Sequence, residues 1–480
     1  MLSGIICVHL CSSVVALSLV SGCAIGPNYS RPETEVPAAF KEAGDWIVAR
    51  PSDAVPKGKW WQVFNDPVLD GLMEQVSVSN QDLKAAEARY AQARAAVRSA
   101  RSGFLPTLGL NSGASRSRAA GNTSNRYTVG VDAQWEIDVW GRIRRLVEAA
   151  RAGEEASVAD LEGARLSLQA ELATNYFQLR VTDAQRDLFE DTVRAFTTSY
   201  NVTQNRYNAG VAARVDVVQA EAQLKSTQAQ AIDLRINRAQ LEHAIAVLVG
   251  KPPGSFTLVP AGFQIRVPEI PPGLPSTLLE RRPDVAGAER RMAAANARIG
   301  VAQSAYFPAL SLSGTAGYAG SSIAHLISSP NLFWSIGAGF AGTILDFGAR
   351  AGAVDTARGA YDESVATYRG AVLGAFQEVE DALSAERWLA EESKVQQDAA
   401  RAARESVVLT VNQYKAGTAS FLNVVQVQAT QLSEERNTVT LVGRRAAAVI
   451  ALIRALGGSW ETPTPAPGAP AAAPASPPAR

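Results

Sequence analysis

Glu136 and Asp138 stand two residues apart in the run Trp135-Glu136-Ile137-Asp138. Paired carboxylates are raw material for general acid–base chemistry, but they need a cleft and a set of partners to do it. Neither is in view here, and the two acids suit the polar lining of a wet surface. Gly250-Lys251-Pro252 is not a phosphate loop, because the upstream glycine and the following Ser or Thr are absent. The three histidines, His9, His243 and His325, are scattered and form no imidazole cluster for a metal. Cys7, Cys11 and Cys23 all lie at the extreme N-terminus, so the body has no disulfide and no thiolate chemistry. The sequence predicts no enzyme, no metal and no cofactor.

One cysteine does carry chemistry. Residues 1–22 read as a cleaved export signal, with an apolar core at Ser13–Val20. Val20-Ser21-Gly22-Cys23 has the form of a lipobox, the site at which signal peptidase II cuts and the new N-terminal cysteine is acylated. A covalent lipid on Cys23 is therefore expected. No Lys or Arg precedes Cys23, so the usual basic start of a signal is missing. Ala24, not Asp, follows the cysteine, which in bacterial lipoproteins implies sorting to the outer membrane.

Composition bounds the rest. With 46 basic and 46 acidic residues the formal charge is zero, so no nucleic acid or other polyanion is implied as a partner. At 480 residues the chain is long enough for two or three ordinary domains. Beyond residue 22 no apolar run is long enough for a membrane helix; the longest, Ala446–Ile453, is far too short.

Strands offer another route. From Tyr127 to Val139 every second residue is apolar: Tyr127, Val129, Val131, Ala133, Trp135, Ile137 and Val139. Between them lie Thr128, Gly130, Asp132, Gln134, Glu136 and Asp138. On a strand these two sets face opposite ways. The segment is ample for a tilted membrane strand of ~9–11 residues. A weaker copy follows 207 positions later, with Leu332, Trp334, Ile336, Ala338 and Phe340 on one face. Each copy is preceded by a hairpin partner, Phe104–Leu110 or Phe307–Leu312, and polar loops are expected around Ser117–Arg126 and Gly320–Asn331.

The remainder reads as helix. Leu69–Arg101 has helical periodicity. Arg142–Asn208 and Ala349–Lys415 are two stretches of 67 residues dominated by good helix formers, each roughly 100 Å if continuous. Lengths of that order point to coiled coils. Each ends at a matching turn, Tyr207-Asn208-Ala209-Gly210 and Tyr414-Lys415-Ala416-Gly417, and leads into a returning helix, Val215–Val249 or Leu422–Leu456. Over 205–224 against 412–431, nine of twenty positions are identical. The chain thus divides into a signal peptide (1–22), a lipidated N-terminal arm (23–67) and a first repeat (68–249) with its hairpin at 104–139. A Pro-rich equatorial linker (250–275), a second repeat (276–460) with its hairpin at 307–346, and a disordered Pro/Ala tail (461–480) complete it. Two hairpins supply four strands, too few to close a barrel; three chains would supply twelve.

The spaced motifs GPNYSRP (26–32), WWQVFNDP (60–67), NQDL (80–83), WEIDVWGR (135–142), RYNAG (206–210), ERRPDVAGAE (280–289), QYKAG (413–417) and LGGSW (456–460) occur in one order along the chain. With them the chain resembles the outer-membrane factors of tripartite efflux systems, on the OprM/TolC pattern and its NodT-like lipoprotein branch. The resemblance covers almost everything from Cys23 to Trp460. It implies an α+β membrane protein: a homotrimer with a twelve-stranded outer-membrane β-barrel, four strands per chain, continued by a long α-helical barrel through the periplasm, with an equatorial domain. It also implies a periplasmic adaptor and an inner-membrane pump of the resistance-nodulation-division (RND) type as partners.

On that pattern the turns with Tyr207, Gly210, Tyr414 and Gly417 contact the adaptor. Asp216, Leu422 and Gln426, just beyond them, form the periplasmic gate. The family often has Asp where this chain has Gln426, so a threefold carboxylate ring becomes neutral there. Asp132, Gln134 and Glu136 line the barrel lumen. The expected function is a passive exit channel in the outer membrane for drugs or other small molecules. Two other readings compete: a duct for ABC-driven protein or peptide secretion, and a structural coiled-coil envelope lipoprotein. The first differs in the neighbouring transporter, and the second predicts no strands and no pore.

Overall fold

The computed structural model of the chain describes residues 24–32, 40–41, 59–261, 268 and 282–458. The export signal, Cys23, half of the linker and the Pro/Ala tail lie outside the described residues. The elements in order are α1 (Pro67–Ser79), α2 (Gln81–Ser102), β1 (Thr107–Ala119), β2 (Asn122–Ile137), α3 (Arg142–Asn208) and α4 (Arg214–Leu248). The second half supplies α5 (Pro283–Ser304), β3 (Ala309–Gly320), β4 (Leu332–Ala341), α6 (Ala349–Lys415) and α7 (Phe421–Ala455). The repeat is metrical: α2 and α5 have 22 residues each, α3 and α6 have 67, and α4 and α7 have 35. The two long helices have the bounds the sequence predicts.

Two expectations need correction. Leu69–Arg101 is not one helix but two, α1 and α2, divided at Asn80. Asn80 has extended backbone (ψ 131°), and its side chain does the work of a cap twice. Its Oδ1 accepts the Leu83 amide at 2.9 Å, while its Nδ2 donates to the Leu248 carbonyl at 2.9 Å. Nor is Ser117–Arg126 a loop. β1 runs on to Ala119 and β2 begins at Asn122, joined by Ala120 (φ 49°) and Gly121 (φ 86°). Two consecutive positive φ values make the tight turn whose twist matches an antiparallel pair, and the polar residues around it are simply strand.

The chain forms two compact units. The first comprises the described parts of 1–34 with Ala85–Leu161 and Asp284–Ala371. It carries one antiparallel sheet of order β1-β2-β3-β4. Its register puts Thr107, Gln134, Ser313 and Gly337 in one row, and Leu108, Ala133, Gly314 and Ile336 in the next. Rows alternate between faces. One face therefore collects Leu108, Leu110, Tyr127, Val129, Val131, Trp135, Leu312, Tyr318, Trp334 and Ile336, and the other is polar or small except for Phe333. The helical part of this unit packs small residues, among them Ala149, Ala152, Ala156, Ala159, Ala294 and Ala297, all buried.

The N-terminal segment is strapped onto this unit. The Ile25 amide donates to the Trp140 carbonyl at 3.0 Å. Arg145, itself buried, donates through Nε to the Ile25 carbonyl (3.2 Å) and through Nη2 to the Gly26 carbonyl (3.0 Å) and Asn28 Oδ1 (2.9 Å). Gly26 (φ 101°) crosses Gly300 so closely that a Cβ on Gly26 would lie 2.4 Å from Gly300 Cα. Only two glycines fit that crossing.

The second unit holds 35–84, Glu162–Pro283 and 372–480 so far as described. Its core gathers Trp60, Trp61 and Phe64 from a 3-10 turn, Leu69, Met73 and Val76 from α1, Leu172, Tyr176 and Leu179 from α3, Ile245 and Leu248 from α4, and Val449 and Ile450 from α7. The tryptophans of the arm are thus core residues. Phe64 packs at a tilt against Phe177 with ring centres 4.8 Å apart. Asp66 caps α1 by accepting the Val68 and Leu69 amides, and its second oxygen accepts the Tyr176 hydroxyl at 2.6 Å.

Candidate conduit surfaces

On the polar face of the sheet, Asp132 lies in one row with Gly109, Thr315 and Ser335. It accepts Asn111 Nδ2 at 3.0 Å and makes no ion pair among the described residues. Gly109 leaves it room: a Cβ there would sit 2.8 Å from both carboxylate oxygens. Gln134 is exposed on the same face, between Thr107 and Ser313. Glu136 shares the face, but its charge is answered within the chain. Arg142 grips it in a two-pronged pair, Nε to Oε1 at 2.8 Å and Nη2 to Oε2 at 2.6 Å. Asp138 lines nothing. It follows β2 and caps α3, accepting the Ile143 and Arg144 amides at 2.9 Å. Asp346 repeats that role before α6, where hydrogen bonds from Arg350 hold its carboxyl below the usual carboxylate range. The sequence showed the acids and not these pairings: Asp346 pairs with Arg350 four residues on, whereas Arg142, at the same spacing from Asp138, turns back to Glu136.

The two turns close in the same way. At the first, the Gly210 amide donates to the Tyr207 carbonyl (2.9 Å) and the Val211 amide to the Arg206 carbonyl (2.9 Å). At the second, the Gly417 amide donates to the Tyr414 carbonyl and the Thr418 amide to the Gln413 carbonyl, both at 3.0 Å. Gly210 (φ 74°) and Gly417 (φ 79°) supply the left-handed residue that this helix ending requires.

The two tyrosines differ. Tyr207 is exposed, with the Arg214 guanidinium 5.9 Å from its ring centre. Tyr414 packs on Phe421 (5.4 Å between ring centres) and carries Arg206 over its ring. Its hydroxyl is buried without a hydrogen-bond partner among the described residues. Arg206 was not singled out from sequence; its place one residue before the duplicated Tyr was the available signal.

Beyond the turns, Phe421 and Val424 are buried at 3% and 2% exposure, whereas Leu422 is 46% exposed. Leu422 and Gln426, four residues apart, share one exposed face of α7. Leu422 is therefore not a core leucine of this chain. Asp216 is half-buried in the first turn of α4, where the helix dipole favours a carboxylate. The 207-residue repeat sets it opposite Asn423, and sets Val215 opposite Leu422.

No described helix is long and apolar enough to cross a membrane. The sheet, with one apolar and one polar face, carries the pattern of a barrel wall. Known proteins share both the sequence and the fold. The family described as outer membrane efflux protein matches residues 72–251 and 274–458. The probable efflux pump outer membrane protein TtgC of Pseudomonas putida is 30% identical over 465 residues, covering 94% of this chain and 96% of its own. Nodulation protein T of Rhizobium leguminosarum bv. trifolii is 32% identical, covering 85% and 89%. Among solved structures, the outer-membrane channel OprN superimposes with a TM-score of 0.85 at 31% identity, over 91% of this chain and 99% of that one. The open state of the Neisseria gonorrhoeae MtrE channel gives 0.82 at 30% identity, over 91% and 98%. By sequence and by fold this chain belongs to the outer membrane efflux protein family and is not an enzyme.

Proposed function

We propose that the chain is the passive exit duct of a tripartite efflux system, assembled as a homotrimer and anchored by a lipid on Cys23. The observation that supports it best is the four-stranded sheet: one face apolar, one polar, and two open edges on β1 and β4. Open edges are not tolerated in lipid, and three copies would remove them by forming twelve strands. Asp132 and Gln134 would then line the lumen, with Glu136 neutralised by Arg142 at its base.

The helices α3, α4, α6 and α7 would form the periplasmic tunnel. Its tip turns, at Tyr207-Gly210 and Tyr414-Gly417, would meet an adaptor that links the duct to an RND-type pump. Asp216, Leu422 and Gln426 would form the gate, and the exposure of Leu422 and Gln426 on one helix face is what such a lining requires. The docked strap brings Ala24 to the end of β2 through the Ile25–Trp140 hydrogen bond. A lipid on the preceding residue would then enter the membrane beside the barrel.

The cargo is a small molecule selected by the pump. Native mass spectrometry and planar-bilayer recording test the assembly together. A trimer that conducts is expected; a monomer, or a trimer with no conductance under any condition that opens related channels, overturns it.

A further inference from the structure

The apolar face of β1 does not end in apolar residues. Along β1 the residues on that face are Leu108, Leu110, Ser112, Ala114, Arg116 and Arg118. Ala114 pairs with Tyr127. Arg116 pairs with Asn125, two residues beyond that row, and Arg118 pairs with Thr123, two further on. Each step is ~7 Å along the strand. The row of Tyr127 lies ten residues along β2 from Ile137, which pairs with Leu310 and through it with Phe340. That is ~33 Å along the strands, or roughly 25 Å across a bilayer at the usual tilt, the height of the apolar band of an outer-membrane barrel. Tyr127 and Tyr318 mark its upper edge as an aromatic girdle would. Arg116 and Arg118 stand just above that edge, facing outward, at the end of the sheet opposite the helices.

Their surroundings are one-sided in charge. From Thr107 to Val131 the chain has three arginines, Arg116, Arg118 and Arg126, and no acidic residue; the first acid is Asp132. Arg116 and Arg118 are exposed and make no ion pair among the described residues. Arg126 pairs with Ser115 and lies on the opposite, polar face. A bare pair of guanidinium groups at the outer rim of a lipid-facing strand matches phosphate, which arginine binds in a two-pronged fashion.

We propose that Arg116 and Arg118 form a docking site for the phosphate groups of a phosphorylated glycolipid in the outer leaflet of the outer membrane. The girdle beneath them would pack its acyl chains, and hairpin β1–β2 presents the site once per chain. The site rests on the reading of the sheet as one third of a membrane barrel.

The test titrates the full-length trimer, in nonionic detergent, with bis-phosphorylated lipid A and with its dephosphorylated form, read by native mass spectrometry. Wild-type protein should prefer the phosphorylated lipid by about tenfold or more. Arg116→Gln/Arg118→Gln should lose that preference, and Arg126→Gln should keep it. Survival of the preference in the double variant, or its equal loss in Arg126→Gln, overturns the site. Displacement by inorganic phosphate alone also overturns it, in favour of a solution-anion site. Planar-bilayer conductance on the same samples separates the two failures: a double variant that conducts normally but lacks the preference supports the site, whereas wild-type protein that forms no channel removes the barrel and the site with it.

Discussion

The guanidinium carbon of Arg206, in the last turn of α3, lies 4.7 Å from the centre of the Tyr414 ring, in the last turn of α6. The contact joins the two halves of the repeat at their matching turns, and Phe421 packs the ring of Tyr414 as well. A stacked guanidinium contributes about 1 kcal/mol at a partly exposed site. Arg206→Ala should therefore loosen the joint without unfolding the chain. Single-channel recording should show more frequent openings, and an unchanged open probability would count against the joint as a latch.

Leu422 and Phe421 are neighbours with opposite environments, and substitutions should separate stability from conduction. Phe421→Ala should cost about 3 kcal/mol, because it empties a packed site. Leu422→Ser should cost well under 1 kcal/mol, because the side chain is exposed, and should raise conductance as the proposed constriction loses it. Asp216→Asn should lower cation preference without widening the pore. Unaltered conductance in a correctly assembled Leu422→Ser trimer would place the constriction elsewhere.

The two faces of β2 should respond differently to charge. Val131 lies in the row of Leu110, Ala316 and Trp334, and Gln134 in the row of Thr107, Ser313 and Gly337. Val131→Arg should cost ~2–4 kcal/mol near the bilayer midplane and impair assembly, whereas Gln134→Arg should be tolerated. Heat-modifiable migration of the trimer on gels reports both; equal tolerance would mean that β2 does not face lipid.

Mass spectrometry of the N-terminal peptide should find Cys23 acylated. Detaching the strap should not change that chemistry. A Cβ on Gly300 would lie 2.6 Å from the Ile25 carbonyl oxygen, so Gly300→Ala must push the segment away. Chymotrypsin should then cut after Tyr29 faster than in wild type, with the lipid still attached. Wild-type cleavage kinetics in this variant would show that the crossing does not hold the strap.

Tyr176 predicts an alkaline limit. Burial first, and then the hydrogen bond to Asp66, push its hydroxyl above the ordinary value of 10.0. A group whose folded pKa is raised gives full stability below its unfolded pKa and loses it as pH rises toward the folded one. Wild-type stability should fall above about pH 10. Tyr176→Phe should lose about 1 kcal/mol at neutral pH and show a shallower alkaline slope in thermal unfolding. Identical slopes would assign the alkaline loss to other groups.

The long helices were legible because glycine marks their ends: Gly141 and Gly210 bracket α3, and Gly348 and Gly417 bracket α6, all with positive φ. The faces of the strands were legible because their period is two. The break at Asn80 was not, because its signal is a side chain that caps one helix while reaching a carbonyl 168 positions away. The outer half of the first hairpin carries no strand signal, because residues 115–126 have no large apolar side chain to alternate with polar ones. The two turns were legible from the duplicated Tyr-x-Ala-Gly pattern. The pairing of Arg206 with Tyr414 and of Arg142 with Glu136 depends on three-dimensional approach, which no spacing encodes.

From Arg142 to Leu248 and from Ala349 to Ala455 the two halves keep step residue for residue, helix and turn alike, at an offset of 207. Before the hairpins the offset is 202, from Gln81–Ser102 to Pro283–Ser304. If the halves descend from one duplicated ancestor, every change of length between them in this span has been accepted among the strands and loops and none in the helices. Removing one helical residue would rotate all that follows by ~100° and withdraw it by ~1.5 Å. Such a change puts one half's turn out of phase with its twin, so heritable changes of helix length in this lineage must come in matched pairs, whereas the hairpins are free to vary alone.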